Sequence, residues 1–116
     1  MKNLRRLAAA STTLWTVAAL LTRAAHAQKP AEVQPLFINK CAPCHGKAGT
    51  PPEMYAKLGV RKLSDADWQK SKSDPELHEV IAKGSKGTAM RAFKELKPAE
   101  IDALVKFVRT LSAAAK

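Results

Sequence analysis

Two cysteines three positions apart, followed at once by a histidine, stand at Cys41-Ala42-Pro43-Cys44-His45. Few arrangements of these residue types are so narrow in what they can do. Each thiol can add across one vinyl group of a haem, giving two thioether links of the c type. The adjoining imidazole can then reach the iron from one side. The spacing therefore predicts a single covalent haem c held by Cys41 and Cys44, with His45 as proximal iron ligand. Two rival chemistries use the same atoms. A reactive Cys-x-x-Cys pair normally sits beside a βαβ pattern, and none is visible here. A zinc module is the other rival, and haem staining of the denatured protein separates both from a covalent haem.

An iron bound by His45 calls for methionine, histidine or an open position on the opposite side. Met54 lies nine residues after His45, on a short predicted helix, too near to cross a haem plane. His78 sits at the edge of the apolar stripe Leu77, Val80, Ile81, where it meets solvent. Met90 lies in the glycine-bearing loop Gly87-Thr88-Ala89-Met90-Arg91-Ala92-Phe93. A loop can lay a thioether over the far face, so Met90 is the preferred distal ligand. Met54, His78 and an open site remain the alternatives.

The 116 residues allow one small domain. Lys2, Arg5 and Arg6 precede an uncharged run from Leu7 to Thr22, and Ala25-His26-Ala27 offers a small-x-small cleavage site. That order is a secretory signal peptide over 1–27, leaving 28–116 as the functional domain in the periplasm. The run is shorter than a membrane span and contains Ser11, Thr12, Thr13 and Thr16. Retention as an anchor is the alternative. Arg5-Arg6 only loosely resembles a twin-arginine signal, and general export of an unfolded chain is expected. The whole chain has 20 basic and 10 acidic residues. Lys2, Arg5, Arg6 and Arg23 fall in the leader, which has no acid, so the remainder keeps 16 against 10, a net +6. Five aromatics in the remaining 89 residues make a thin core, which a buried macrocycle would fill out.

The elements that must position these groups are helical. Gln28 to Gln34 is expected to be a tether, and Pro35 to open a first helix running to Cys41. Val33, Phe37 and Cys41 would share one face. Thr50 and Glu53 can cap a helix from Pro52 to Leu58, stopped by Gly59. Ser64-Asp65 can start another through Lys70. Asp74 is expected to cap a helix with Pro75 in its first turn and Gly84 at its end. Gly84 to Leu96 is a loop. The last helix opens at Pro98 and runs to Ser112, with Ile101, Leu104, Val105, Val108 and Leu111 at helical period and Phe107 flanking them. No strand alternation or internal repeat appears. The expected fold is all-α, short helices and long loops wrapped on a cofactor.

Three separated motifs then carry a resemblance. Phe37-x-x-Lys40-Cys41-Ala42-Pro43-Cys44-His45-Gly46, Lys86-Gly87-Thr88-Ala89-Met90-Arg91-Ala92-Phe93 and Ile101-x-x-Leu104-Val105-x-Phe107-Val108-Arg109-x-Leu111 resemble a small bacterial monohaem class I cytochrome c. The resemblance implies a cytochrome c-like bundle in which the first and last helices cross, with Phe37 packed near Leu104 and Phe107. It implies His45/Met90 ligation and one-electron carriage without enzymatic turnover. It also implies a proline carbonyl, from Pro51 or Pro52, accepting the His45 N–H. Two positions depart from the family. Arg91 stands where proline often follows the ligand methionine, and Val33 stands where glycine is common four residues before the first-helix aromatic.

Lysines are spread along the chain. Lys47, Lys86, Arg91 and Lys94 could form a positive rim that steers acidic redox proteins or membrane electron-transfer complexes. Trp68 is either core or a donor to a haem propionate, and Arg61 and Lys62 could pair with propionates. No small-molecule substrate or nucleic acid is expected, since no basic, aromatic-laced surface is present, and the domain should work as a monomer. Two rival functions remain in view: a haem subunit dedicated to one dehydrogenase or oxidase, and an open-site haem enzyme or sensor.

Overall fold

The structure is a computed structural model, and it describes residues 30–114. The expected signal peptide over 1–27 lies outside the described residues. Among the described residues six helices follow one another: α1 Pro30–Lys40, α2 Ala42–His45, α3 Glu53–Lys57, α4 Ala66–Lys70, α5 Asp74–Lys83 and α6 Pro98–Ala114. Among the described residues there is no strand, as the sequence pattern required. No helix among them is long and apolar enough to cross a membrane.

The long helix α6 is the spine, packed against α1, α4 and α5. Ile101, Leu104, Val105, Val108 and Leu111 are all buried, so its apolar stripe points inward along its whole length. Leu104, Val108 and Leu111 form one cluster with Val33 and Phe37 of α1, Ala42 and Leu63. Phe37 and Leu104 are the most deeply buried large side chains. The Phe37 and Phe107 rings lie with centroids 5.0 Å apart and planes tilted by 51°, an arrangement that suits opposing ring edges and faces. The expected Phe37, Leu104 and Phe107 grouping is therefore present.

Several helix ends differ from expectation. Helix α1 begins at Pro30 rather than at Pro35, which lies inside it. The segment 30–34 is thus helix and not tether. Pro35 has no N–H to give to the carbonyl four residues back, and α1 continues without that bond. Ser73, not Asp74, caps α5. Its hydroxyl accepts from the Glu76 N–H while the Glu76 carboxylate accepts from the Ser73 N–H at 2.7 Å. This reciprocal box satisfies two helix-end donors. Asp65 caps α4 by accepting from the N–H groups of Asp67 and Trp68. Helix α3 has no side-chain cap, because the Thr50 hydroxyl meets the Ser64 hydroxyl instead, at 3.1 Å. Val80, expected in the α5 stripe, is 39% exposed; Leu77 is buried and Ile81 half-buried.

Two polar side chains fasten the connections to α6. The buried Gln69 amide donates to the carbonyls of Leu63 and Val108, at 2.6 and 2.7 Å. Arg109 donates to the carbonyls of Gln69 and Lys72 and to the Asp74 carboxylate. The loop between α4 and α5 is held this way with its backbone acceptors paired.

Candidate functional site

The cysteine–histidine motif folds as one tight turn. The N–H groups of Cys44 and His45 both donate to the Cys41 carbonyl, and Gly46 donates to that of Ala42. Helical winding places positions i, i+3 and i+4 on one side. Cys41, Cys44 and His45 therefore project to the same side of α2. Gly46 ends the turn with φ +76°, and a Cβ there would lie 1.9 Å from the Thr50 carbonyl oxygen. Only glycine lets the chain double back this closely.

The returning loop supplies the partner of the imidazole. Its base is closed where the Ser64 N–H donates to the Gly49 carbonyl at 3.2 Å. From this loop the Arg61 carbonyl lies 2.9 Å from His45 Nδ1. A carbonyl can only accept, so Nδ1 carries the proton in the neutral ring and Nε2 keeps its lone pair. The acceptor is thus Arg61 and not Pro51 or Pro52. The loop carries α3 between those prolines and Arg61, and it is the later limb that meets the ring. Burial lowers the His45 pKa, and the hydrogen bond to the Arg61 carbonyl opposes that shift.

Both thiols are free; Cys44 is exposed and Cys41 half-buried against the core cluster. Burial and then the neighbouring Cys44 push the Cys41 thiol up to about 11. Thiol-exchange sites work by the opposite shift. Among the described residues no three His, Cys, Asp or Glu side chains are grouped to hold a bare metal ion, so a zinc site lacks its donor set. Two free thiols and an oriented imidazole on one side of a turn do fit a covalently held haem.

The alternative iron ligands Met54 and His78 lie on α3 and α5. Met54, on α3, is 63% exposed. His78, on α5, is half-buried and directs Nδ1 to the Asp102 carboxylate at 2.7 Å, linking α5 to α6. Met90 lies in the loop after α5, whose turn is built by short-range bonds. Its carbonyl accepts from the Ser85 N–H at 3.0 Å and its N–H donates to the Thr88 hydroxyl at 3.1 Å. Thr88 in turn donates that hydroxyl to the Ser85 carbonyl. Gly84, at φ +78°, opens the loop, and a Cβ there would press on the Met90 carbonyl at 2.8 Å. The loop is closed from below by buried Phe93, whose N–H donates to Ile81 at 3.0 Å.

Two features of this loop had no individual place in the sequence reading. The Arg91 guanidinium lies 4.1 Å from the centre of the Phe93 ring and pairs with Glu95 at 3.0 Å. Glu95 also takes Lys40, the last residue of α1, at 3.2 Å. Arg91 is therefore engaged and is not a free member of a positive rim. The four-residue spacing of Arg91 and Glu95 was the only local hint. Trp68 packs against the core cluster, in keeping with its core reading.

The chain matches the family described as cytochrome c oxidase, cbb3-type, subunit III over residues 28–108. Among solved structures it is similar to the KustC0563 c-type cytochrome, with 40% identity and a TM-score of 0.62. That match covers 67% of this chain and 94% of the other. It is similar also to a tyrosine-to-phenylalanine mutant of Kustc0563, with 41% identity, a TM-score of 0.61, and coverage of 68% and 96%. No curated protein matches it. The all-α fold, the single Cys-x-x-Cys-His turn and these matches agree: the chain belongs to the cbb3-type subunit III family of small bacterial c-type cytochromes, electron-transfer proteins that carry haem c.

Proposed function

We propose that this chain is a monomeric one-electron carrier of the periplasm. In this reading residues 1–27 are a cleaved export signal, and 28–116 hold one haem c through thioethers to Cys41 and Cys44. His45 and Met90 would ligate its iron. The observation that carries the reading is His45, oriented by the Arg61 carbonyl on the turn that also presents both thiols. When bound, the haem supplies an iron that takes up or gives up one electron.

The chain's own residues do the rest. The two cysteines fix the group covalently, so it cannot be lost to solvent. The Arg61 carbonyl holds the imidazole in one tautomer and raises its basicity, as outer partners of metal-bound histidines do. A Met90 thioether would favour the reduced state and so raise the potential. The α1–α6 core built on Phe37, Leu104 and Phe107 gives a dry, rigid backing, which limits rearrangement between oxidation states. Lys47, Lys86 and Lys94 are exposed and suit an acidic redox partner.

Haem staining of the denatured exported protein tests the covalent link. Stain retained by the wild type and reduced in Cys41→Ala and Cys44→Ala is expected. Met90→Ala should change the spectrum and lower the potential; an unchanged spectrum would remove Met90 as ligand. A second reading, a haem subunit serving one oxidase, draws on the description of the matching family. Purification with a membrane complex, rather than free in the periplasmic fraction, would favour it.

A further inference from the structure

Glu95 joins two segments that are far apart in sequence and both border the site. On one side it accepts from Lys40, at the end of α1 and next to Cys41. On the other its two oxygens receive the Arg91 fork, Nη2 to Oε1 at 3.0 Å and Nη1 to Oε2 at 3.5 Å. Arg91 is itself restrained. Its Nη1 also donates to the Ala92 carbonyl at 3.1 Å, and the guanidinium lies over Phe93. Phe93 is buried, so the fork rests on a fixed platform. Next to Arg91 is Met90. The short-range bonds among Ser85, Thr88 and Met90 shape the loop but do not tie it to the cysteine turn.

From this geometry we infer that Lys40, Glu95 and Arg91 form a clasp that positions the Met90 loop relative to the haem-attachment turn. The inference rests on the reading of Met90 as an axial ligand. The three are positioning residues: none needs to touch the iron. Opening the clasp frees the loop from α1 while leaving its internal turn intact. Exposed ion pairs of this kind each contribute little, and they weaken with salt. The clasp should therefore tune how often Met90 leaves the iron, without deciding whether it binds.

The test uses the ferric holoprotein and imidazole as an external ligand that competes with Met90. Glu95→Gln and Arg91→Ala should take up imidazole about two- to five-fold faster than the wild type at low salt. Both should keep the far-red charge-transfer band of methionine-ligated ferric haem. Raising the salt should bring the wild type towards the variants and leave Glu95→Gln almost unmoved. Lys40→Ala and Glu95→Gln combined should be less than additive, because they remove the same link. Equal rates for wild type and Glu95→Gln would overturn the clasp. Met90→Ala separates the two failures. If it takes up imidazole no faster than wild type, the Met90 assignment falls and the clasp with it. If Met90→Ala is fast while Glu95→Gln matches wild type, the clasp alone falls.

Discussion

Arg109 on α6 reaches Asp74 at the start of α5, with Nε 2.8 Å from the carboxylate oxygen. The same guanidinium donates to the carbonyls of Gln69 and Lys72. One side chain thus satisfies backbone acceptors of the α4–α5 connection and fixes α5, which carries the Met90 loop, to the spine. Arg109→Ala leaves those carbonyls without their donor. A loss of about 1–3 kcal/mol is expected, read as a lowered denaturation midpoint of the holoprotein. Arg109→Lys should recover only part of it, since an ammonium cannot fork to the same acceptors. A neutral Arg109→Ala would mean that water serves these carbonyls equally well.

The aromatic contact between the first and last helices should be the most sensitive point of the core. Phe37 is fully buried, and its ring meets Phe107 at 5.0 Å. Phe37→Ala should cost about 3–5 kcal/mol and Leu104→Ala about 2–5 kcal/mol. Phe107→Leu keeps most of the apolar area and should cost less than either. Chemical denaturation of the three holoproteins gives the order directly, and a Phe107→Leu loss larger than that of Phe37→Ala would contradict the packing described.

Glu95 contributes to the acid limb of the stability profile, alongside Asp65, Glu76 and Glu79, whose carboxyls are also held low by their hydrogen bonds. Its hydrogen bonds, those from Arg91 foremost, hold its carboxyl down at about 2. In the unfolded chain a glutamate titrates near an ordinary 4.3. The folded value is the lower one, so the contribution is present above the unfolded pKa and disappears as pH falls towards 2. Wild type and Glu95→Gln should therefore differ at neutral pH and converge in strong acid. Acid unfolding curves at low salt measure this; parallel curves down to the lowest pH would show that the carboxylate is not linked to folding.

How much of this could be read in the sequence depended on the range of each interaction. The α6 stripe from Ile101 to Leu111 was legible because helical period is written locally and burial follows it. The Cys41–His45 turn was legible because its chemistry is contained in five consecutive residues. Helix ends were misplaced where two signals competed. Pro35 reads as a first-turn proline, yet α1 starts earlier and carries it internally. Asp74 reads as a cap, but Ser73 lies three residues before Glu76, and that pairing fixed the end one position sooner. Arg61 was missed as the His45 acceptor because any residue offers a carbonyl, and only the loop path selects one. Glu95 was missed because its bond to Lys40 spans 55 positions. The identity of either residue says nothing about such a distance.

The glycines of the Met90 loop permit a last separation, between backbone strain and direct displacement. Gly84 and Gly87 have nearly the same left-handed φ, +78° and +79°. A Cβ at Gly87 would meet nothing within 4 Å, whereas one at Gly84 would meet the Met90 carbonyl and the Ala92 nitrogen at 2.8 Å. Both alanine substitutions should share the conformational penalty, about 1 kcal/mol or somewhat more. Gly84→Ala must in addition move backbone, because the atoms it strikes are main chain on either side of Arg91. That shift would carry Met90 away from its position and disturb the Ser85–Met90 bond. Gly87→Ala should therefore lower stability modestly and keep the far-red methionine-to-iron band of the ferric holoprotein. Gly84→Ala should weaken or abolish that band and lower the potential. If the two variants retain the band equally, the Met90 loop is compliant enough to absorb the displacement, and Gly84 does not control the position of the ligand.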